Sequence, residues 1–179
     1  FSVFLVLYVL LWRLRDSIWA NDNELLLMLT LILISSIFLR GVSYFSQVSD
    51  LEFIQYALPV SFVGIISVTL LNLRATLILS LSSSLLALAG GGNIGLVALG
   101  ALGTIIPAIF LSEDADRALL RQRIVYISLT QPLLAFGVYF FLRDEGNLTQ
   151  ILIFSFLTAL VANLAAFALT SYIESIFRL

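Results

Sequence analysis

Catalysis needs side chains that carry protons, nucleophiles or metals, and this sequence withholds the usual ones. Its 179 residues include no His and no Cys. That removes a His general base, thiolate chemistry, disulfides and His-ligated metal or haem. A Ser–His protease arrangement and the His-Glu-x-x-His zinc motif both fail on this count. Acidic residues fall between apolar segments rather than along one helix face, so a paired-aspartate transferase site is missing too. Glu113, Asp114 and Asp116 with Arg117, Arg121 and Arg123 form the most charged stretch. It has the charges to grip a phosphate or a metal, but such a stretch is more often a solvated turn with local ion pairs. Gly90, Gly91 and Gly92 lack the Lys and Ser/Thr of a phosphate-binding loop and read as a helix stop. The chain by itself is therefore not read as an enzyme, and it calls for no cofactor and no metal.

What remains is polar chemistry inside apolar surroundings. The deepest polar groups are Gln131 and Asn163, with Asn72 and Asn93 nearer the ends of their segments. Gln131 stands next to Pro132, a pair that places an amide beside a backbone carbonyl freed by the proline. The ordinary role of such amides is an interhelical hydrogen bond; the sharper one is a ligand contact. Asn93, Gln131 and Asn163 are the candidate ligand-binding residues. No ionisable residue sits at the centre of an apolar segment, which argues against proton-coupled transport.

The elements that hold these residues follow from composition. Hydrophobic residues make up 61% of the chain and charged residues 11%, against about 25% charged in a soluble domain. A chain of this size cannot hide so much apolar surface from water, so its solvent is largely lipid. The formal net charge of -2 gives no basic surface for nucleic acid. A bilayer core asks for about 20 apolar residues per helix. Seven stretches are expected to cross: Phe1 to Leu14, Glu24 to Leu39, Leu51 to about Leu71, Ala75 to Ala89, Asn93 to Leu111, Ile124 to Leu142, and Leu148 to Leu169. The expected fold is all-α, a polytopic bundle of about seven transmembrane helices in one domain over residues 1–179.

Lipid tails give apolar helices no reason to associate, so small and polar residues do the packing. Ser155, Ala159, Ala162, Asn163, Ala166 and Thr170 share one face of the last helix. Gly95, Gly100, Gly103 and Thr104 smooth the fifth, and Ser80, Ser82, Ser83 and Ser84 the fourth. Pro59, Pro107 and Pro132 lie inside apolar segments, where each is expected to kink its helix.

Basic residues accumulate on the cytoplasmic side of membrane proteins. With the N-terminus outside, Arg13, Arg15, Arg74, Arg117, Arg121, Arg123 and Arg178 fall inside, and only Arg40 and Arg143 outside. The expected orientation is N-terminus out, C-terminus cytoplasmic. The last helix is longer than a bilayer needs, and its surplus from Thr170 to Leu179 is amphipathic. It reads as a helix continuing into a cytoplasmic domain. The chain starts at Phe1 and ends at Leu179 within apolar helical pattern, so an excerpt of a longer protein is expected.

Three stretches carry a family resemblance. Residues Tyr56 to Leu88 hold a Pro-containing helix and a closely spaced second one. Arg121 to Phe141 hold a basic turn and the helix after it. Ser171 to Phe177 read Ser-Tyr-Ile-Glu-Ser-Ile-Phe. Together they resemble the membrane region of bacterial seven-transmembrane receptors with an intracellular HD hydrolase domain. The last stretch is similar to that family's exit motif, Pro-x-hydrophobic-Glu-x-hydrophobic-Phe. Glu174 and Phe177 match it, and Ser171 stands where Pro is usual.

The resemblance implies an outer sensory domain before these helices and a cytoplasmic hydrolase of cyclic di-AMP after them. It makes Pro59, Pro132, Glu174 and Phe177 the candidate signal-coupling residues. The implied partners are the lipid bilayer and a covalently linked cytoplasmic domain. A small-molecule ligand and a second copy of the chain stay open, and nucleic acid is excluded. The implied location is the bacterial plasma membrane, with a photosynthetic membrane as the other setting this composition allows. Two rival readings stand beside it: a small-molecule-binding subunit of a transporter, with a polar pocket near Asn93, Gln131 and Tyr44, and a structural subunit of a membrane complex.

Overall fold

The computed structural model describes residues 22–48, 52–56, 58–89, 94–112, 117–142 and 146–177. The described regular structure is helical throughout. It comprises α1 (Asp22–Val48), a 3-10 turn (Glu52–Tyr56), α2 (Val60–Leu70), α3 (Leu73–Ala89), α4 (Ile94–Ser112), α5 (Arg117–Leu142) and α6 (Leu148–Phe177). Among the described residues five spans are long and apolar enough to cross a membrane: α1, the 3-10 turn together with α2, α4, α5 and α6. α3 is apolar but has 17 residues, about 25 Å at helical rise. The segment Phe1 to Leu14, expected as the first crossing, lies outside the described residues.

Local chemistry sets several helix ends. The Asn72 side-chain oxygen accepts the Ala75 N–H at 2.8 Å. That caps α3 and allows the tight turn from α2. Asn147 caps α6 in the same way, accepting from the Thr149 and Gln150 N–H groups at 3.1 and 3.4 Å. Asp22 and Glu24 stand in the first turn of α1, where carboxylates favour the positive end of the helix dipole.

Three sequence expectations about boundaries are corrected. α1 does not end at Leu39; Arg40 and Gly41 lie inside it and the helix reaches Val48. A single glycine costs about 1 kcal/mol in a helix, too little to stop one, and Arg40 is exposed. The third apolar stretch is a 3-10 turn followed by a short helix. Pro59 is the residue that starts α2 rather than a kink within it, because proline tolerates a first turn and not a helix interior. The charged stretch is shorter than expected, since Arg117, Arg121 and Arg123 already belong to α5. The last segment is one overlong helix as expected: α6 runs unbroken for 30 residues. Pro107 and Pro132 do lie inside helices.

The buried apolar side chains form two clusters. The first gathers Leu27, Met28, Leu31 and Ile32 of α1, Val63 and Ile66 of α2, Ala75 and Leu79 of α3, Leu111 of α4, Ile127 of α5 and Ala166 of α6. The second gathers Leu39 of α1, Tyr56 and Leu58 before α2, Val60, Ala87 of α3, Leu96 and Leu99 of α4, Ala135 of α5 and Ile151 of α6. Every helix, α3 included, contributes to both. The clusters are thus two layers stacked along the helix axes.

α2 packs against α4 and α6, and α5 packs against α6. The α2–α4 contact is backbone to backbone: a Cβ on Gly64 would collide with the Thr104 carbonyl oxygen. The expected small-residue faces are buried as the packing argument requires. Ser155, Ala159, Ala162, Asn163 and Ala166 line the buried side of α6, and Ser80, Ser82, Ser83 and Ser84 that of α3.

Candidate functional site

The polar side chains of the bundle fall between the two apolar layers. Along α5, Ser128 and Gln131 lie between Ile127 of the first layer and Ala135 of the second. Along α6, Asn163 precedes Ala166 of the first layer and follows Ile151 of the second. A helical rise of about 1.5 Å per residue puts Ser128 and Gln131 about one turn apart on one face.

Gln131 is 1% exposed. Its side-chain N–H donates to the Leu58 carbonyl at 3.2 Å. Leu58 stands just before Pro59, where the chain is not helical, so the amide satisfies a carbonyl that no helix serves. Its oxygen lies against α4, where a Cβ on Gly103 would meet Gln131 Oε1 at 2.9 Å. Gln131 thus ties α5 to the start of α2 and touches α4.

Asn163 is fully buried. Its amide donates to the Ser128 hydroxyl at 2.9 Å, and that hydroxyl donates to the Ile124 carbonyl at 2.7 Å. This relay ties α6 to α5. The oxygens of both amides, Gln131 Oε1 and Asn163 Oδ1, have no protein partner among the described residues.

The structure therefore brings Gln131 and Asn163 to one level of the bundle, joined through α5. Pro132 is adjacent, within α5. Pro59 also belongs here, one residue beyond the carbonyl that Gln131 holds. Asn93 lies outside the described residues. Glu174 and Phe177 are remote from this layer, in the last turns of α6. Phe177 and Ile173 pack against the first apolar layer, so the end of α6 is docked on the bundle. Sequence reasoning missed Ser128 and Leu58. Ser128 had a signal, one turn before Gln131 on the same face. Leu58 had none, since its role rests on its backbone carbonyl.

Among the described residues no charged side chain joins this layer; its chemistry is that of neutral donors and acceptors in a low-dielectric setting, where each hydrogen bond is strengthened and each unpaired group is costly.

A family model described as a 7TM receptor with intracellular HD hydrolase matches residues 1–179. No curated protein and no solved structure matches the chain.

Proposed function

This chain belongs to the family of seven-transmembrane receptors with an intracellular HD hydrolase, and from that membership we propose that it passes an outer signal through the membrane to a cytoplasmic HD-type phosphodiesterase acting on cyclic di-AMP. The chain is the membrane part and carries no hydrolase centre. In this reading it has seven crossings, with the N-terminus outside and the C-terminus in the cytoplasm of a bacterial cell, an outer sensory domain before it and the hydrolase after α6.

The observation that carries the proposal is α6. It runs unbroken from Leu148 to Phe177, about 45 Å at helical rise, while the hydrocarbon core is about 30 Å. Its middle is held by Asn163 to α5 and its end by Ile173 and Phe177 to the first apolar layer. A change in the α5–α6 contact then moves the point where the next domain attaches. A ligand shifts such an equilibrium only by its differential affinity for the two arrangements. Asn93, Gln131 and Asn163 are the proposed ligand contacts, Pro132 the bending point within α5, Pro59 the coupling residue at the start of α2, and Glu174 and Phe177 the coupling end. A homo-oligomer suits the output of a dimeric or larger hydrolase.

The test is cyclic di-AMP hydrolysis by the full-length protein in lipid vesicles, comparing wild type with Phe177→Ala. The expected result is a several-fold change in basal hydrolysis with the hydrolase domain still folded. Unchanged hydrolysis in the variant removes the coupling role, and absence of any cyclic di-AMP turnover by the wild type removes the proposed substrate.

A further inference from the structure

Six buried side-chain atoms have no hydrogen-bond partner among the described residues: the hydroxyls of Ser35, Ser61, Ser82 and Ser84, and the amide oxygens of Gln131 and Asn163. They are not scattered. Each stands within three residues of the middle of its helix span. Each also falls between residues of the two apolar layers on its own helix: Ser35 between Ile32 and Leu39, Ser61 between Val60 and Val63, Ser82 and Ser84 between Leu79 and Ala87. Five helices supply polar atoms between the same two apolar layers; α5 and α6, which carry the two amides, pack on each other, whereas α3 packs on α1, α2 and α4.

Two more acceptors join it. Pro107 has no N–H to give the carbonyl four residues back, which is Gly103, and Pro132 has none for Ser128. Gly103 touches Gln131 Oε1, and Ser128 receives Asn163. The residues that carry both carbonyls thus neighbour the two amides, through the Gly103 Cα side and the Ser128 hydroxyl.

Nearly all buried polar groups in proteins find a partner, in protein or in ordered water. The two amide oxygens only accept, and no protein donor among the described residues reaches them, so what they lack is a donor. A metal or ammonium ion would be a bare charge among neutral ligands between apolar layers, which is costly without a counter-charge. Water supplies two donors and two acceptors at no charge, and buried water typically makes about three hydrogen bonds of this kind. We propose that the middle of the bundle is a binding site for ordered water molecules held by Gln131 Oε1 and Asn163 Oδ1, sealed from both membrane faces by the two apolar layers.

The site is tested by water-edited solid-state NMR on the full-length protein in lipid bilayers. Magnetisation from water is expected to reach the side-chain amides of Gln131 and Asn163 later than that of the exposed Asn147, but several-fold sooner than the methyls of Ile66. Build-up as slow as at Ile66 overturns the proposal. Transfer from the protons of a co-purified small molecule in place of water also overturns it, in favour of an organic ligand at the same level. A high-resolution structure in lipid gives a second readout that needs no variant. Density within hydrogen-bond reach of Gln131 Oε1 and Asn163 Oδ1 supports the site, and those oxygens turned onto protein donors with nothing between refute it.

Discussion

A glutamine and a glycine show how little material holds this bundle together. Gln131 serves the Leu58 carbonyl across a contact between α5 and the start of α2. Gln131→Leu keeps the bulk and removes the donor, leaving a buried carbonyl unpaired at a cost of about 1–3 kcal/mol. The expected outcome is a lower thermal midpoint in detergent, measured by the loss of helical circular dichroism. Gly64 lets α2 meet the Thr104 backbone of α4. Neither backbone can swing aside as a side chain would, so Gly64→Ala is expected to destabilise by about 1–3 kcal/mol. Gly41→Ala, with open space around it, serves as the control and is expected to be neutral or slightly stabilising in the same assay. A loss at both glycines alike would show that the α2–α4 contact is not the cause.

Helices in lipid are cheap to form and hard to aim, so what matters for an element is where it stops, bends and docks. The short α2–α3 turn depends on the Asn72 cap. Asn72→Ala is expected to cost about 1 kcal/mol, seen as faster amide exchange in the first turn of α3 than in its middle. Pro132 opens α5 at the level where Gln131 and Asn163 act. Pro132→Ala restores the bond to the Ser128 carbonyl and stiffens the helix. The expected outcome is a higher unfolding temperature together with a weaker response of the hydrolase to the outer signal. A variant that is stabilised and still responds fully would remove the bend from the signalling path.

For the whole molecule the testable property is sidedness. Residues 1–179 include no Cys, so a cysteine introduced into the bundle is its only thiol. Cysteine at Asn147 is expected to react with an impermeant maleimide from outside intact cells, and cysteine at Arg74 only after the membrane is opened. The opposite pattern would turn the bundle over and separate α6 from any cytoplasmic output. The apolar side chains left on the surface, among them Leu133 and Phe141 of α5 and Leu33 and Ile37 of α1, are what a lipid-facing bundle requires. In water the same surface would be an aggregation site.

Composition alone determined the class of this protein, because apolar content on this scale has only lipid as a solvent. The small-residue faces of α3 and α6 were legible for a related reason: close packing is the main force left between helices in lipid, and it needs small side chains at a fixed spacing. Gln131 and Asn163 stood out because amides are rare at that depth. Tertiary structure alone decided what they meet. The partner of Gln131 is a backbone carbonyl 73 residues away, and a backbone atom leaves no trace in a sequence. Pro59 read as a kink because proline looks the same at a helix start and in a helix middle; only the preceding 3-10 turn told them apart. The polar level between two apolar layers was equally hidden. Each helix carries one or two of its residues, and their meeting depends on the relative shift of six helices along their axes, which packing sets and no local pattern encodes.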